Sequence, residues 1–581
     1  MSNNVGSTSQ SVSPENLLRR MTLREKIGQC FTVGFNDDFL RPEVVHAVRK
    51  LNCGGLRLVP WEREGTAYKK GEDRCFKGGG IYEPGGRRMG SAVYLTPTQY
   101  AALLNELQQM AIRRPCGIPL HFSIDQEGDS YNDYTRGGVN LFPSNMGLMA
   151  LKNPDKVYQT FVAIGRQLRA LGVHFIHSPV LEVYLNPDNP EMNFRCFSDD
   201  PGVVAEMGVH ALRGLRDGGV IAVAKHFPGR GDSDKDTHYE FCIYGHNAQQ
   251  MHDIELRPYR ALIAAGLESI MTAHTVYPAL GDSERPATVS RTIVTDVLRK
   301  QMGFEGIITT DSITMLGLMN KYGLAEACLM ALEAGNDLVL YRGFVRDLPA
   351  VFDHIEAAVE KGRTDVAILE QAITRMLKMK AKLGLLQRPM IDLEQVEKPL
   401  RDPEVIRLSE ELPAQTALWV KKPAMLPLTP TTRVLLVEQL NRFSWQCNDL
   451  WYHPGMLYEA MLANSNFGPI EVVEATMTGQ DDLPRIKDRI AKADVVVATS
   501  FYCRTTVHNY PLIQDIVALG KPVIAVTNNP YLCKKLMIAD GVLQIFSGNP
   551  NGLKALADIL YGRKQPGGTW PLTAYPQPKP E

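Results

Sequence analysis

The sequence predicts an α/β protein with an N-terminal TIM-type (β/α)8 barrel followed by a smaller, flavodoxin-like α/β sandwich domain. Three observations predict it. At 581 residues the chain is too long for a single core. From about Leu23 to Leu386, eight short apolar runs alternate with longer amphipathic stretches, the pattern of parallel strands joined by helices. Beyond a proline-containing stretch near residues 421–430, five more apolar runs follow, enough for a second, doubly wound sheet.

In chain order, residues 1–15 are polar, rich in Ser and Asn, and expected to be disordered. The barrel is expected over residues 16–400, with strands at Phe31–Phe35, Leu56–Val59, Leu120–Ile124, Val173–Ile176, Val220–Ala224, Ser269–Ala273, Gly306–Thr310 and Asp337–Leu340. A representative helix runs from Thr98 to Arg113. It places Leu103, Leu104, Leu107, Met110 and Ala111 on one face, behind a Thr96-Pro97 start signal. The segment Trp61 to Gly90 is glycine-rich, carries Trp61, Tyr68, Phe76 and Tyr82, and has no periodicity. It reads either as a surface insertion or as a lid, because βα loops emerge at the catalytic mouth of such barrels. Residues 401–432 read as a helical segment ending near Leu418 and then a linker. The sandwich domain follows at 433–581, with strands at Val434–Val437, Ile470–Val473, Val495–Ala498, Val523–Val526 and Val542–Phe546. No G-x-G-x-x-G or Walker loop opens a helix there, which argues against a nucleotide role.

Composition narrows the function. With 44% hydrophobic residues, and 63 Lys+Arg against 64 Asp+Glu, the chain has the balance of a globular protein. Such balance argues against wholesale binding to nucleic acid or to an anionic membrane. The N-terminus has no signal-peptide pattern and no uncharged apolar run of membrane-spanning length follows, so a cytoplasmic location is expected. Ten scattered cysteines without C-x-x-C spacing suggest reduced, packing thiols. No metal or cofactor is expected, and the oligomeric state is left open.

In a parallel barrel the strand C-termini converge on one mouth, so polar residues just after the apolar runs can meet a common substrate. Asp125 follows the third run, Arg195 lies after the fourth, Lys225 and His226 end the fifth, His274 the sixth and Asp311 the seventh. The stretch from Lys225 to His238 carries two glycines and a proline, then Asp236-Thr237-His238, where carboxylate and imidazole can share a hydrogen bond. Taken alone, these residues leave other readings open. Asp311 fits a helix N-cap, Asp-x-His fits a solvated turn, and Asp232, Asp234, Asp236 and His238 fit a metal loop.

Lys225-His226-Phe227-Pro228-Gly229, with Gly231-Asp232 and then Asp236-Thr237-His238, resembles a loop of family 3 glycoside hydrolases. The resemblance is to the β-N-acetylglucosaminidase branch, with its K-H-F-P-G-H-G-D and downstream D-S-H. It extends to Ile124-Asp125-Gln126-Glu127-Gly128, to Ser178-Pro179-Val180-Leu181-Glu182-Val183 with Asn186-Pro187, and to Arg195-Cys196-Phe197. Gly306 to Ser312 with Met315 is similar to the strand carrying the nucleophile, and Pro566-Gly567-Gly568-Thr569-Trp570-Pro571-Leu572 to the end of the second domain.

The resemblance implies a retaining β-N-acetylhexosaminidase with a carbohydrate substrate, working through a covalent glycosyl-enzyme. Asp311 would be the nucleophile and His238, polarised by Asp236, the acid/base. Asp125, Arg195, Lys225 and His226 would hold the sugar, with His274 as a further contact. Two departures bear on the substrate. After Gly128 the chain reads Asp129-Ser130-Tyr131-Asn132-Asp133-Tyr134-Thr135-Arg136; with three residues inserted, Arg136 falls on the family's sugar-binding arginine. Arg230 stands where the family has histidine, bringing a permanent charge beside the acid/base and suggesting an altered leaving-group side. Transfer of the sugar to phosphate, and a catalytically weakened sugar-binding protein, are the competing readings.

Overall fold

The computed structural model describes residues 14–36, 39–59, 95–129, 131–135, 137–439, 456–463, 470–475, 483–501 and 509–579. The Trp61–Gly90 segment and Arg136 lie outside the described residues.

Eight parallel strands build the barrel: β1 (Phe31–Phe35), β2 (Gly55–Leu58), β3 (His121–Ile124), β4 (Phe175–Ile176), β5 (Ile221–Phe227), β6 (Ser269–Thr272), β7 (Ile307–Thr310) and β8 (Val339–Tyr341). They pair in chain order from β1 to β7, and β8 pairs β1. A parallel bridge between Thr309 and Leu338 joins the β7 and β8 ends of the sheet. Successive side chains on a strand face opposite ways, and here they feed two different cores. Phe175, Ile221, Val223, Met271, Ile307, Leu338 and Leu340 fill the interior. Their neighbours Ile176, Ala222, Ala224, Ile270, Ile308 and Val339 join the larger cluster beneath the helices. Burial on both faces is why each strand reads as an unbroken apolar run rather than an alternation.

Helix starts follow their sequence signals. The helix Pro97–Ile112 begins at Thr96, whose hydroxyl accepts the Gln99 N–H at 3.2 Å while Gln99 returns the bond to the Thr96 N–H at 2.9 Å.

The second sheet contains β9 (Leu418–Lys421), β10 (Val434–Gln439), β11 (Ile470–Ala475), β12 (Val495–Ser500), β13 (Val523–Thr527) and β14 (Gly541–Gln544). Its order is β9-β14-β13-β12-β10-β11. The five expected strands run parallel in the 2-1-3-4-5 order of flavodoxin-like sheets. The sixth is a correction. Residues 418–421, expected to close a helix and open a linker, instead form an edge strand antiparallel to β14, following a helix that ends at Thr416. Leu418 and Val420 turn inward while Trp419 and Lys421 are half-buried, a two-residue alternation too short to separate from a helix end by periodicity.

The second domain packs against loops at the barrel mouth. Met146 and Ala150 of the short helix Asn145–Ala150, with Tyr184, Met192, Phe194 and Cys196 from the loop after β4, share one core with Leu532, Phe546 and Leu572. Polar contacts fix the register. Asp129 accepts the Gly548 N–H at 2.6 Å, Ser144 donates to the Phe546 carbonyl at 2.9 Å, and Asp199 accepts the N–H groups of Thr573 and Ala574, each at 2.7 Å. The loops after β3 and β4 are therefore braced from outside.

Among the described residues Cys30, Cys53, Cys116, Cys196, Cys242, Cys328 and Cys533 are buried free thiols. Among the described residues no helix is long and apolar enough to cross a membrane.

Candidate active site

One cavity opens at the C-terminal ends of the barrel strands. Asp125, Arg195, Lys225, His226, Arg230, His238 and Asp311 all line it, so seven of the ten expected site residues meet there. Met271, Leu340 and Val59 supply its apolar part.

Asp311 follows β7. Its Oδ1 accepts the Ser312 N–H at 2.7 Å, and the next helix starts only at Leu316 behind Met315, so Asp311 does not act as that helix's N-cap. Burial is the largest influence on its carboxyl and pushes it up. His274, Arg230, His238 and the Ser312 amide together outweigh burial and leave it below its ordinary value. A carboxylate ionised in this way can attack an electrophilic carbon.

His238 comes from the loop after β5. Its Nδ1 lies 2.9 Å from Asp236 Oδ1 and 3.0 Å from Glu191 Oε1, and Asp236 also accepts the His238 N–H at 2.8 Å. The backbone of this loop needs glycine. Gly229 has φ +120, and a Cβ on Gly231 would fall 1.8 Å from the Val183 carbonyl oxygen. That close approach brings Asp236 and His238 back over the barrel mouth. With one nitrogen of the ring committed to carboxylates, the opposite nitrogen is the one suited to exchange a proton with a bound molecule.

The floor of the cavity is a lattice of paired charges. Lys225 Nζ lies 2.8 Å from Asp125 Oδ1 and 2.7 Å from Glu127 Oε1. Arg195 grips Glu127 through two bonds of 2.7 and 2.8 Å and stacks 4.5 Å over the Tyr131 ring. Asp125 also meets Arg57 and the His177 Nδ1, the latter at 3.1 Å. Burial pushes the Asp125 carboxyl up, but Lys225, Arg57 and His177 outweigh it and hold it well below its ordinary value. Asp133, 2.6 Å from Arg57, goes the other way: burial and the neighbouring Asp125 carboxylate push it up to about 6. His226 turns Nδ1 to Glu182 Oε1 at 2.7 Å and brings Nε2 to 3.8 Å from Asp311. Burial, followed by Arg230, Lys225 and Arg195, drives His226 well below its ordinary value, and burial pushes Glu182 up to about 7.

Two expectations change. His274 does not line the cavity: it is buried, with Nδ1 2.8 Å from the Thr288 hydroxyl and Nε2 2.9 Å from the Ser312 carbonyl. It supports the strand end that carries Asp311. Arg230 lines the cavity but is only 1% exposed, and its guanidinium pairs with Glu191 Oε2 at 2.8 Å and with the Thr237 hydroxyl. Its charge is matched inside the protein, which removes the reason to read an altered leaving-group side from it. Residues that carried no expected role include Arg57, Glu127, Asp133, Glu182, Glu191 and Arg342. A lone arginine inside the apolar run Leu56–Val59 was a readable signal for Arg57. Glu182 and Glu191 lie in irregular sequence with no periodicity to aim them.

Among the described residues the grouping of metal-type donors is Glu191, Asp236 and His238. It does not fit an ion. The carboxylates meet Nδ1 at hydrogen-bond distances, and Glu191 is already paired with a guanidinium.

Residues 22–379 match the family model described as the glycosyl hydrolase family 3 N terminal domain. The chain belongs to glycosyl hydrolase family 3. This family 3 chain is 30% identical over 375 residues to Beta-hexosaminidase A of Pseudoalteromonas piscicida, covering 61% of this chain and 62% of that protein. It is 32% identical over 359 residues to the Beta-N-acetylglucosaminidase/beta-glucosidase of Cellulomonas fimi, covering 60% and 62%. The match thus spans less than two thirds of the length of these curated relatives. Among solved structures, a family 3 β-N-acetylglucosaminidase from Paenibacillus sp. str. FPU-7 superposes with TM-score 0.83 at 26% identity, covering 95% of this chain and 99% of that one. The Beta-glucoside phosphorylase BglX shares the fold at TM-score 0.76 and 20% identity, covering 97% of this chain and 96% of that one.

Proposed function

We propose that this family 3 protein is a retaining β-N-acetylhexosaminidase that removes a terminal β-linked N-acetylhexosamine, most simply N-acetylglucosamine, from small glycosides. The observation that carries the reading is that the Asp311 carboxylate and the carboxylate-held His238 imidazole line one cavity. The chain's similarity to β-hexosaminidases and β-N-acetylglucosaminidases supports the N-acetylhexosamine preference.

In the first step Asp311 forms a bond to the anomeric carbon as the bond to the leaving oxygen breaks. His238 donates its Nε2 proton to that oxygen. In the second step a water attacks the same carbon, gives its proton to His238 and releases Asp311 as carboxylate. Asp236 orients the imidazole. Lys225, Asp125, Arg195 and His226 hold sugar hydroxyls on a floor whose charges are mutually fixed, so little reorganisation accompanies binding.

The test is a panel of chromogenic β-glycosides (N-acetylglucosaminide, N-acetylgalactosaminide, glucoside, xyloside) run with and without phosphate. The N-acetylglucosaminide is expected to be turned over best, at a rate that does not depend on phosphate, and Asp311→Asn to abolish turnover. Sugar 1-phosphate as the main product would replace hydrolysis by phosphorolysis, and an Asp311→Asn variant of undiminished activity would refute the reading.

A further inference from the structure

Glu191 occupies a position that the two-step scheme does not require. It is 1% exposed, in the loop after β4, and meets the same ring nitrogen of the acid/base as Asp236 does. Its Oε1 lies 3.0 Å from His238 Nδ1, while its Oε2 lies 2.8 Å from Arg230 Nη1 and accepts from the Thr237 N–H and hydroxyl, each at 3.3 Å. The stitching continues along the backbone. Arg195 donates to the Glu191 carbonyl at 3.0 Å, and Asn189 donates to the Arg230 carbonyl at 3.0 Å while accepting the Glu191 N–H at 2.9 Å. Arg230 in turn brings Nη2 to 3.9 Å from Asp311 Oδ2. Asp311, Arg230, Glu191 and then His238 therefore form a row along the cavity, in which Arg230 and Glu191 are buried.

We infer that Glu191 is a positioning residue for the proposed reaction: clamped by Arg230, it fixes the His238 ring and links its protonation to the charge on Asp311. The inference rests on the glycosidase reading of the site. Groups facing the imidazole are Asp236 from its own loop, Glu191 from the β4 loop, Arg230 from the start of the β5 loop, and Asp311 with His274 from the ends of β7 and β6. Two carboxylates meet Nδ1, and Arg230 pairs with one of them. When Asp311 becomes an uncharged ester in the glycosyl-enzyme, Arg230 loses one counter-charge and weighs more heavily against imidazolium. His238 is thereby biased toward the base needed for the second step.

The experiment compares wild type with Glu191→Gln on an alkyl and on a dinitrophenyl β-N-acetylglucosaminide across pH. Expected for the alkyl substrate is a kcat loss of about 10- to 100-fold with KM within about twofold, because proton donation alone is impaired. The basic limb of kcat/KM should move down by about one pH unit, since removing one anion leaves Arg230 uncompensated beside the ring. The dinitrophenyl substrate should lose less than about threefold in its first, bond-breaking step. Because a lone buried Arg230 could compromise folding, the pair variant Glu191→Gln with Arg230→Gln is measured in parallel. It should keep the leaving-group dependence and show a smaller limb shift. Equal losses on both substrates, or an unmoved limb in both variants, would overturn the inference. A wild type without glycoside turnover, or a fully active Asp311→Asn, would instead overturn the reading beneath it.

Discussion

Replacing His238 by alanine probes the acid/base assignment through the leaving group. The imidazole lines the cavity and is held at Nδ1 by carboxylates at 2.9 and 3.0 Å, so in the proposed reaction its contribution would be that of a pre-aligned proton donor. Such a group typically supplies 10²- to 10⁴-fold, or about 3 to 5 kcal/mol of barrier at about 1.4 kcal/mol per decade. An alkoxide leaving group needs that proton in full, whereas a dinitrophenolate departs without it. For His238→Ala, kcat/KM on an alkyl N-acetylglucosaminide should fall by about 10³-fold, and on the dinitrophenyl substrate by less than about tenfold. The assay is a series of aryl and alkyl N-acetylglucosaminides plotted against leaving-group acidity, and the plot should steepen in the variant. Parallel lines for wild type and variant would show that His238 acts on binding or folding and not as the proton donor.

Other perturbations test the supporting structure. Lys225→Met strips the cation from between two carboxylates, Asp125 and Glu127, and breaking such a buried pair costs about 3–5 kcal/mol; a denaturant midpoint within error of wild type would contradict the pairing. Glu182 has its carboxyl pushed up to about 7 from an ordinary 4.5, so the wild-type fold carries a penalty that is absent below pH 4.5 and grows as pH rises through 7. Glu182→Gln should therefore gain stability relative to wild type between pH 5 and pH 8, by about 2–3 kcal/mol, and a difference constant with pH would argue against it. Asp199→Ala leaves the Thr573 and Ala574 amides without their buried acceptor at the domain interface. It should cost about 1–3 kcal/mol in unfolding experiments while lowering kcat/KM by less than tenfold.

The legible part of this molecule is the part governed by short-range pattern. All eight barrel strands could be read because double-sided burial leaves apolar runs that glycine and polar residues interrupt. Thr96-Pro97 marked a helix start by the chemistry of its cap. The sandwich strands were equally readable, save Leu418–Lys421, where four alternating residues follow a helix directly. For the site, position in the barrel was enough to gather Asp125, Lys225, His226 and Asp311, since strand ends must converge. Whether a strand-end residue faces the cavity or the wall was not readable: His274 ends its strand like the others, yet bonds Thr288 and Ser312. Glu191 was hidden for a related reason. Its contacts to His238 and Arg230 span 47 and 39 residues of irregular chain, and no local rule specifies such pairings.

In the proposed reaction Asp311 becomes covalently joined to the anomeric carbon during turnover. Incubation with a 5-fluoro-N-acetylglucosaminyl fluoride, followed by proteolysis and mass spectrometry, tests it directly. Time-dependent inactivation is expected, with one sugar added, on a peptide containing Asp311 and absent from Asp311→Asn. A label on another side chain, or inactivation without any covalent sugar, would contradict it.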